Sequence, residues 1–123
     1  MAYNVLLVDD SSLARKVLRR ALIQSSVSIG QVYEAENGKQ ALEILDNQWV
    51  DCVFLDINMP VMTGIEFVEE ARKKDELRDL KIIVVSTEGS EERLAYLKKL
   101  GVLEIVRKPI APEKLKTVFE KIF

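Results

Sequence analysis

Three aspartates, a pair of hydroxyls and a lysine each follow closely on a run of apolar residues. Val5-Leu6-Leu7-Val8 leads into Asp9 and Asp10, Val53-Phe54-Leu55 into Asp56, and Ile82-Ile83-Val84-Val85 into Ser86 and Thr87. Ile105-Val106 reaches Lys108-Pro109 within two residues. Clustered carboxylates suit a hard divalent cation such as Mg²⁺, which prefers oxygen ligands. A carboxylate oxygen left free by the metal is a nucleophile toward a phosphoryl donor. Transfer then depends mainly on positioning and on neutralising the equatorial oxygens. In one shared crevice, Asp9, Asp10 and Asp56 would hold the cation and Asp56 would attack. The Ser86 hydroxyl and the Lys108 ammonium would each take a phosphoryl oxygen.

Each residue also has an ordinary explanation. Asp10 or Ser11 can cap a helix, Ser86 or Thr87 can cap another, and Lys108 can be a solvated lysine. Coincidence at four successive strand ends favours the shared site, because ligands of open parallel sheets bind beyond the carboxyl ends of the strands.

The elements that must position these residues alternate along the chain. Residues 4–8, Ile29–Ala35, Cys52–Leu55, Lys81–Val85 and Val102–Val106 read as strands, the second nearer an edge. A helix capped by Ser11 or Ser12 runs to about Gln24, with Leu13, Val17, Ala21 and Leu22 on its core side. Asn37-Gly38 starts a second helix with Ala41, Leu42, Ile44 and Leu45 inward. Ile65, Phe67, Val68 and Ala71 mark a third, to Lys74, after the loop Met59–Gly64. Glu88-Gly89-Ser90 opens a fourth that Gly101 ends, and Pro112 starts a fifth carrying Leu115, Val118, Phe119 and Ile122. Five βα units predict an α/β fold with a doubly wound parallel sheet. The shared site requires strand order 2-1-3-4-5, which sets the first and third strands side by side.

The composition excludes several alternatives. One hundred and twenty-three residues suit a single domain over 1–123. A net charge of -2 favours neither a nucleic-acid footprint nor an acidic tail. Arg15, Lys16, Arg19 and Arg20 fall at helical spacing, which reads as a solvated face. There is no histidine, so His-based nucleophilic systems and His-ligated zinc are excluded. The lone Cys52 sits in an apolar run as a buried thiol. No signal segment or bilayer-length apolar run is visible, and a cytoplasmic protein without membrane contact is expected. Tyr33, Trp49 and Tyr96 read as packing residues, and Met59 and Met62 as gap fillers.

Taken together, Val8-Asp9-Asp10-Ser11, Leu55-Asp56-Ile57-Asn58-Met59-Pro60, the loop to Gly64, Val85-Ser86-Thr87 and Lys108-Pro109-Ile110 resemble the receiver domain of two-component response regulators. The single-domain CheY-like type is the nearest match. The resemblance runs from about Asn4 to the C-terminus and implies a flavodoxin-like fold with five helices. It implies that Asp56 accepts a phosphoryl group from a histidine kinase or phosphotransfer protein. Mg²⁺ would be bound by Asp10, Asp56 and the backbone carbonyl of Asn58, with Asp9 acting largely through water. Ser86 and Lys108 would contact the phosphoryl group, while Asn58 and Glu88 flank it and tune its hydrolysis. The family often has Tyr or Phe where this chain has Ile105, so the expected switch relies more on Ser86 and the loop Thr87–Ser90.

The resemblance implies a signalling switch rather than an enzyme. No effector domain follows Phe123, so output is expected through protein contact, with a chemotaxis-type target such as a flagellar motor component foremost. The basic first helix is a candidate docking face for a kinase or phosphatase. A phosphorelay intermediate or phosphate sink is the alternative. A Mg²⁺-dependent phosphatase or nuclease of the haloacid-dehalogenase or Toprim kind needs an acid two residues after the strand-end aspartate, where Asn58 stands. A dinucleotide site needs a glycine-rich first turn, and Asp9-Asp10-Ser11-Ser12 has none.

Overall fold

A computed structural model describes residues 2–87 and 90–123. Five parallel strands form one sheet in the order β2-β1-β3-β4-β5. They are β1 (Tyr3–Val8), β2 (Ile29–Ala35), β3 (Cys52–Leu55), β4 (Lys81–Ser86) and β5 (Glu104–Arg107). The helices are α1 (Ser12–Gln24), α2 (Gly38–Asn47), α3 (Gly64–Lys73), α4 (Glu91–Lys99) and α5 (Pro112–Ile122). This is the predicted α/β, flavodoxin-like, doubly wound architecture.

The central strands read as unbroken apolar runs because both faces are covered. Alternate residues serve two cores. Leu6, Val8, Val53, Leu55, Ile82 and Val84 pack in one with residues of α2, α3 and α4. Val5, Leu7, Phe54, Ile83 and Val85 pack in the other with residues of α1 and α5. Strand β2 pairs only with β1, so it is the edge its weaker apolar pattern suggested.

Local signals set the helix starts. The Ser11 hydroxyl caps α1 and the Asn37 side chain caps α2. Thr63 and Glu66 form a reciprocal capping box on α3. Ser90, rather than Ser86 or Thr87, accepts from the Arg93 N–H and caps α4. Gly101, at φ +90, follows the end of α4 in the left-handed region that glycine favours.

Several expectations need correction. Leu13 is 69% exposed and Val17 47% exposed, so neither lies on the core side of α1. The buried stripe is instead centred on Leu18, Ala21 and Leu22, and the helical period carries Leu13 and Val17 off it. Trp49 is 76% exposed, its indole N–H donating to Asp51, so it is not a packing residue. The fifth strand begins at Glu104 rather than Val102, where the ladder with β4 starts at Ile83. A short 3₁₀ turn at Asp75–Leu77 follows α3, one the apolar pattern did not reveal. Cys52 is a buried free thiol, as expected, and burial pushes its pKa up.

Candidate functional site

The strand register brings the chemistry together. Val8 pairs with Leu55, and Leu55 with Val84. The next residues along, Asp9 and Asp56, therefore leave neighbouring strand ends. The Asp56 N–H donates to the Val8 carbonyl at 2.9 Å, which locks the two ends together. Oxygens of Asp9, Asp10 and Asp56 lie within 4.8 Å of one another. Asp9 and Asp56 are buried, while Asp10 is exposed.

Asp9 is held from several directions. Its Oδ1 accepts the Ser11 N–H at 2.9 Å, and its Oδ2 accepts from Lys108 Nζ at 2.5 Å. Its carbonyl accepts from Arg15 at 2.6 Å, and Arg15 Nε reaches Glu34 at 2.8 Å. Arg15 was expected on a solvated face, yet its side chain is only 12% exposed. Helical spacing alone could not show that the end of β2 would bring Glu34 to meet it.

Lys108 Nζ stands 3.6 Å from Asp56 Oδ1, and its backbone N–H donates to the Ser86 carbonyl at 3.3 Å. The Lys108–Pro109 peptide bond is cis. The ammonium thus sits between two buried carboxylates and is not a solvated surface lysine. Burial raises the Asp56 pKa above its ordinary value near 3.8, with Lys108 opposing and Asp9 reinforcing. The Ile57 N–H and the Ser86 hydroxyl also hydrogen-bond the Asp56 carboxylate and favour its charged form. Ser86 is 3% exposed.

The loop after β3 is fitted closely to the back of Asp56. Gly64 N–H donates to the Ile57 carbonyl at 2.8 Å, and a Cβ on Gly64 would lie 2.3 Å from the Asp56 carbonyl oxygen. Asn58 is exposed at the lip of this loop, while Met59 and Met62 pack against the core beneath it, Met59 buried. Val61 has φ +68, a left-handed conformation rarely tolerated by a β-branched residue. Thr87 is exposed beside the site, and Ile105 is half-buried against the core that includes Leu94 and Leu97. Glu88 lies outside the described residues.

Three carboxylates against one ammonium form a hard, electronegative donor set that fits a divalent cation such as Mg²⁺. A carboxylate with one oxygen directed into such a set can act as a nucleophile on phosphorus. No helix among the described residues is long and apolar enough to cross a membrane.

Comparison with known proteins agrees with this fold. The profile of the response regulator receiver domain matches residues 5–120. A chemotaxis protein CheY homolog of Campylobacter jejuni is 35% identical over 120 residues, spanning 97% of this chain and 91% of that protein. Chemotaxis protein CheY1 of Helicobacter pylori is 34% identical, spanning 97% of this chain and 95% of that protein. The crystal structure of chemotaxis protein CheY4 of Vibrio cholerae superimposes with a TM-score of 0.87 at 31% identity, covering 100% of both chains.

Proposed function

Since the chain belongs to the response regulator receiver domain family, we propose that it is a chemotaxis-type switch of two-component signalling whose phosphoacceptor is Asp56. The observation that carries this reading is the convergence of Asp9, Asp10 and Asp56 within 4.8 Å, with Lys108 between two of them. The whole chain, 1–123, is read as one receiver domain acting in the cytoplasm. The donor is a histidine kinase or a phosphotransfer protein carrying phosphohistidine.

Mg²⁺, held by Asp10, Asp56 and the Asn58 carbonyl with Asp9 nearby, would neutralise charge on the phosphoryl oxygens. Asp56 attacks phosphorus with one carboxylate oxygen, forming a P–O bond. The P–N bond of the donor breaks, and its electron pair leaves with the imidazole nitrogen. Lys108 is already within reach of Asp56 and moves from Asp9 to a phosphoryl oxygen. The Ser86 hydroxyl turns from the Asp56 carboxylate to another. Thr87 follows Ser86 and carries that movement toward the start of α4, while Asn58 and Glu88 set the rate of hydrolysis. The outcome is a change of binding surface, not turnover of a substrate.

The exposed apolar pair Leu13 and Val17, beside Lys16 and Arg20, supports α1 as the docking face for the donor or for a phosphatase. A downstream target, such as a flagellar motor component, would read the face made by α4, β5 and α5. A phosphorelay or phosphate-sink role uses the same chemistry with a different partner.

The test is incubation with Mg²⁺ and acetyl phosphate followed by intact mass spectrometry. A single labile phosphoryl adduct, absent in Asp56→Ala, is expected. Sustained hydrolysis of phosphate esters with no adduct would instead make the protein a phosphatase.

A further inference from the structure

An apolar cavity of about 360 Å³ opens beside the carboxylates, between α1 and the segment that follows β5. Its walls include Leu7, Phe54 and Val85 from the sheet, Ala14 and Leu18 from α1, and Ile110. Leu7, Phe54, Val85 and Ile110 are buried members of the core on that side, so the walls are set by packing within the fold. In the phosphoryl transfer proposed above, neither the metal ion nor the phosphoryl group would need these walls. A concave, mostly apolar space of roughly 300–1,000 Å³ with a few polar groups at one edge is the usual form of a small-molecule site.

The polar edge has a sign. Asp9 and Asp56 border the cavity, and Asp10 lies within 4.8 Å of both. Lys108 borders it too, but its ammonium is held by Asp9 at 2.5 Å. Arg15, also at the edge, is taken by Glu34 and the Asp9 carbonyl. With Asp9 matched by Lys108 and Arg15 by Glu34, Asp56 and Asp10 leave the edge negative, so the charge that complements it is a cation, while the walls call for hydrocarbon.

We propose that the cavity binds a small amphipathic amine, with an apolar body of about one ring against Leu18, Phe54 and Ile110 and its ammonium against Asp56 and the neighbouring Asp10. The ammonium takes the charge position proposed for Mg²⁺, so the two cations compete. That competition rests on the receiver reading; the binding of the amine does not.

The test is titration of the metal-free full chain with phenethylamine, followed by NMR at the methyl groups of Leu18, Val85 and Ile110. Saturable shifts are expected at all three. Phenethyl alcohol, the uncharged counterpart, is expected to bind at least about tenfold more weakly. Added Mg²⁺ should raise the apparent Kd of the amine. Ala14→Leu narrows the cavity from a helical position that holds no reacting group, and should weaken the amine about tenfold while acetyl phosphate labelling persists. Equal binding of the alcohol would overturn the proposal without recourse to any variant. So would shifts that spare the three methyl residues, unchanged affinity in Ala14→Leu, or no saturable binding. Amine binding by a protein that takes no phosphoryl adduct would overturn the phosphoacceptor reading alone.

Discussion

Asp56 carries its charge where burial resists it, a cost that a bound cation would offset. Its folded pKa lies above the ordinary value because burial outweighs Lys108, the Ile57 N–H and the Ser86 hydroxyl. A group raised in this way contributes stability below its unfolded pKa, and loses that contribution as pH rises through the folded one. At neutral pH the ionised Asp56 is therefore a burden on the metal-free fold. Asp56→Asn is expected to raise stability by about 1 kcal/mol at neutral pH in chelator, and the gain should fade toward about pH 4 as the parent carboxyl protonates. Urea melts at several pH values check this; an Asn variant weaker than the parent at neutral pH would mean that the hydrogen bonds win. Lys108 holds Asp9 Oδ2 at 2.5 Å, so it would compete with a metal ion for that oxygen. Lys108→Met should tighten Mg²⁺ binding about tenfold by calorimetry, while costing the metal-free protein roughly 1–3 kcal/mol through the unpaired Asp9. A weaker Mg²⁺ affinity in that variant would refute the competition.

At the scale of elements, the loop from Asp56 to α3 holds both a tight fit and a strained residue. A methyl at Gly64 would meet backbone atoms of Asp56 and Ile57 at 2.3 and 2.8 Å, and backbone cannot step aside as a flexible side chain can. Gly64→Ala is expected to cost about 3 kcal/mol and to slow adduct formation, because relief must displace Asp56. Normal labelling with normal stability would show that the loop yields freely. Val61 has the opposite sign. It stands 76% exposed with φ +68, so its strain is not offset by burial. Val61→Asn should stabilise by about 1 kcal/mol in thermal melts, since asparagine tolerates the left-handed region. The glycine and proline pattern showed that a loop must lie here, but not that Gly64 would touch the Asp56 carbonyl. That contact depends on where α3 docks against the sheet. The same limit applied to α1: its period predicted an amphipathic helix, yet which apolar residues are covered depends on the neighbouring layer, and Leu13 and Val17 were left outside.

For the whole molecule, a phosphoryl group on Asp56, as proposed, would have to act on a distant surface through β4 and β5. Ile105 packs half-buried against the core that includes Leu94 and Leu97, where it offers neither a ring to swing nor a hydroxyl to bond. Addition of a beryllofluoride phosphoryl mimic with Mg²⁺ should therefore shift the amides of Ser86, Thr87 and Ser90 most, and those of Ile105 and its β5 neighbours less. Equal shifts on β5 would show that an isoleucine transmits as well as an aromatic. No change on β5 at all would mean that this face does not take part in the switch.

By itself the sequence determined which residues end the strands, where most helices start, and which chemistry those residue types allow. These are local properties, set by apolar runs, capping side chains and turn residues a few positions apart. Only the tertiary structure decided that β1 and β3 are neighbours, so that Asp9 and Asp56 converge at one crevice. It also decided that Lys108, 99 positions from Asp9, closes onto it. A cavity between α1 and the end of β5, an Arg15 drawn inward by Glu34, and an apolar pair left uncovered arose in the same way. Each is a relation between surfaces of different elements, and no period along a single element encodes what will be packed against it.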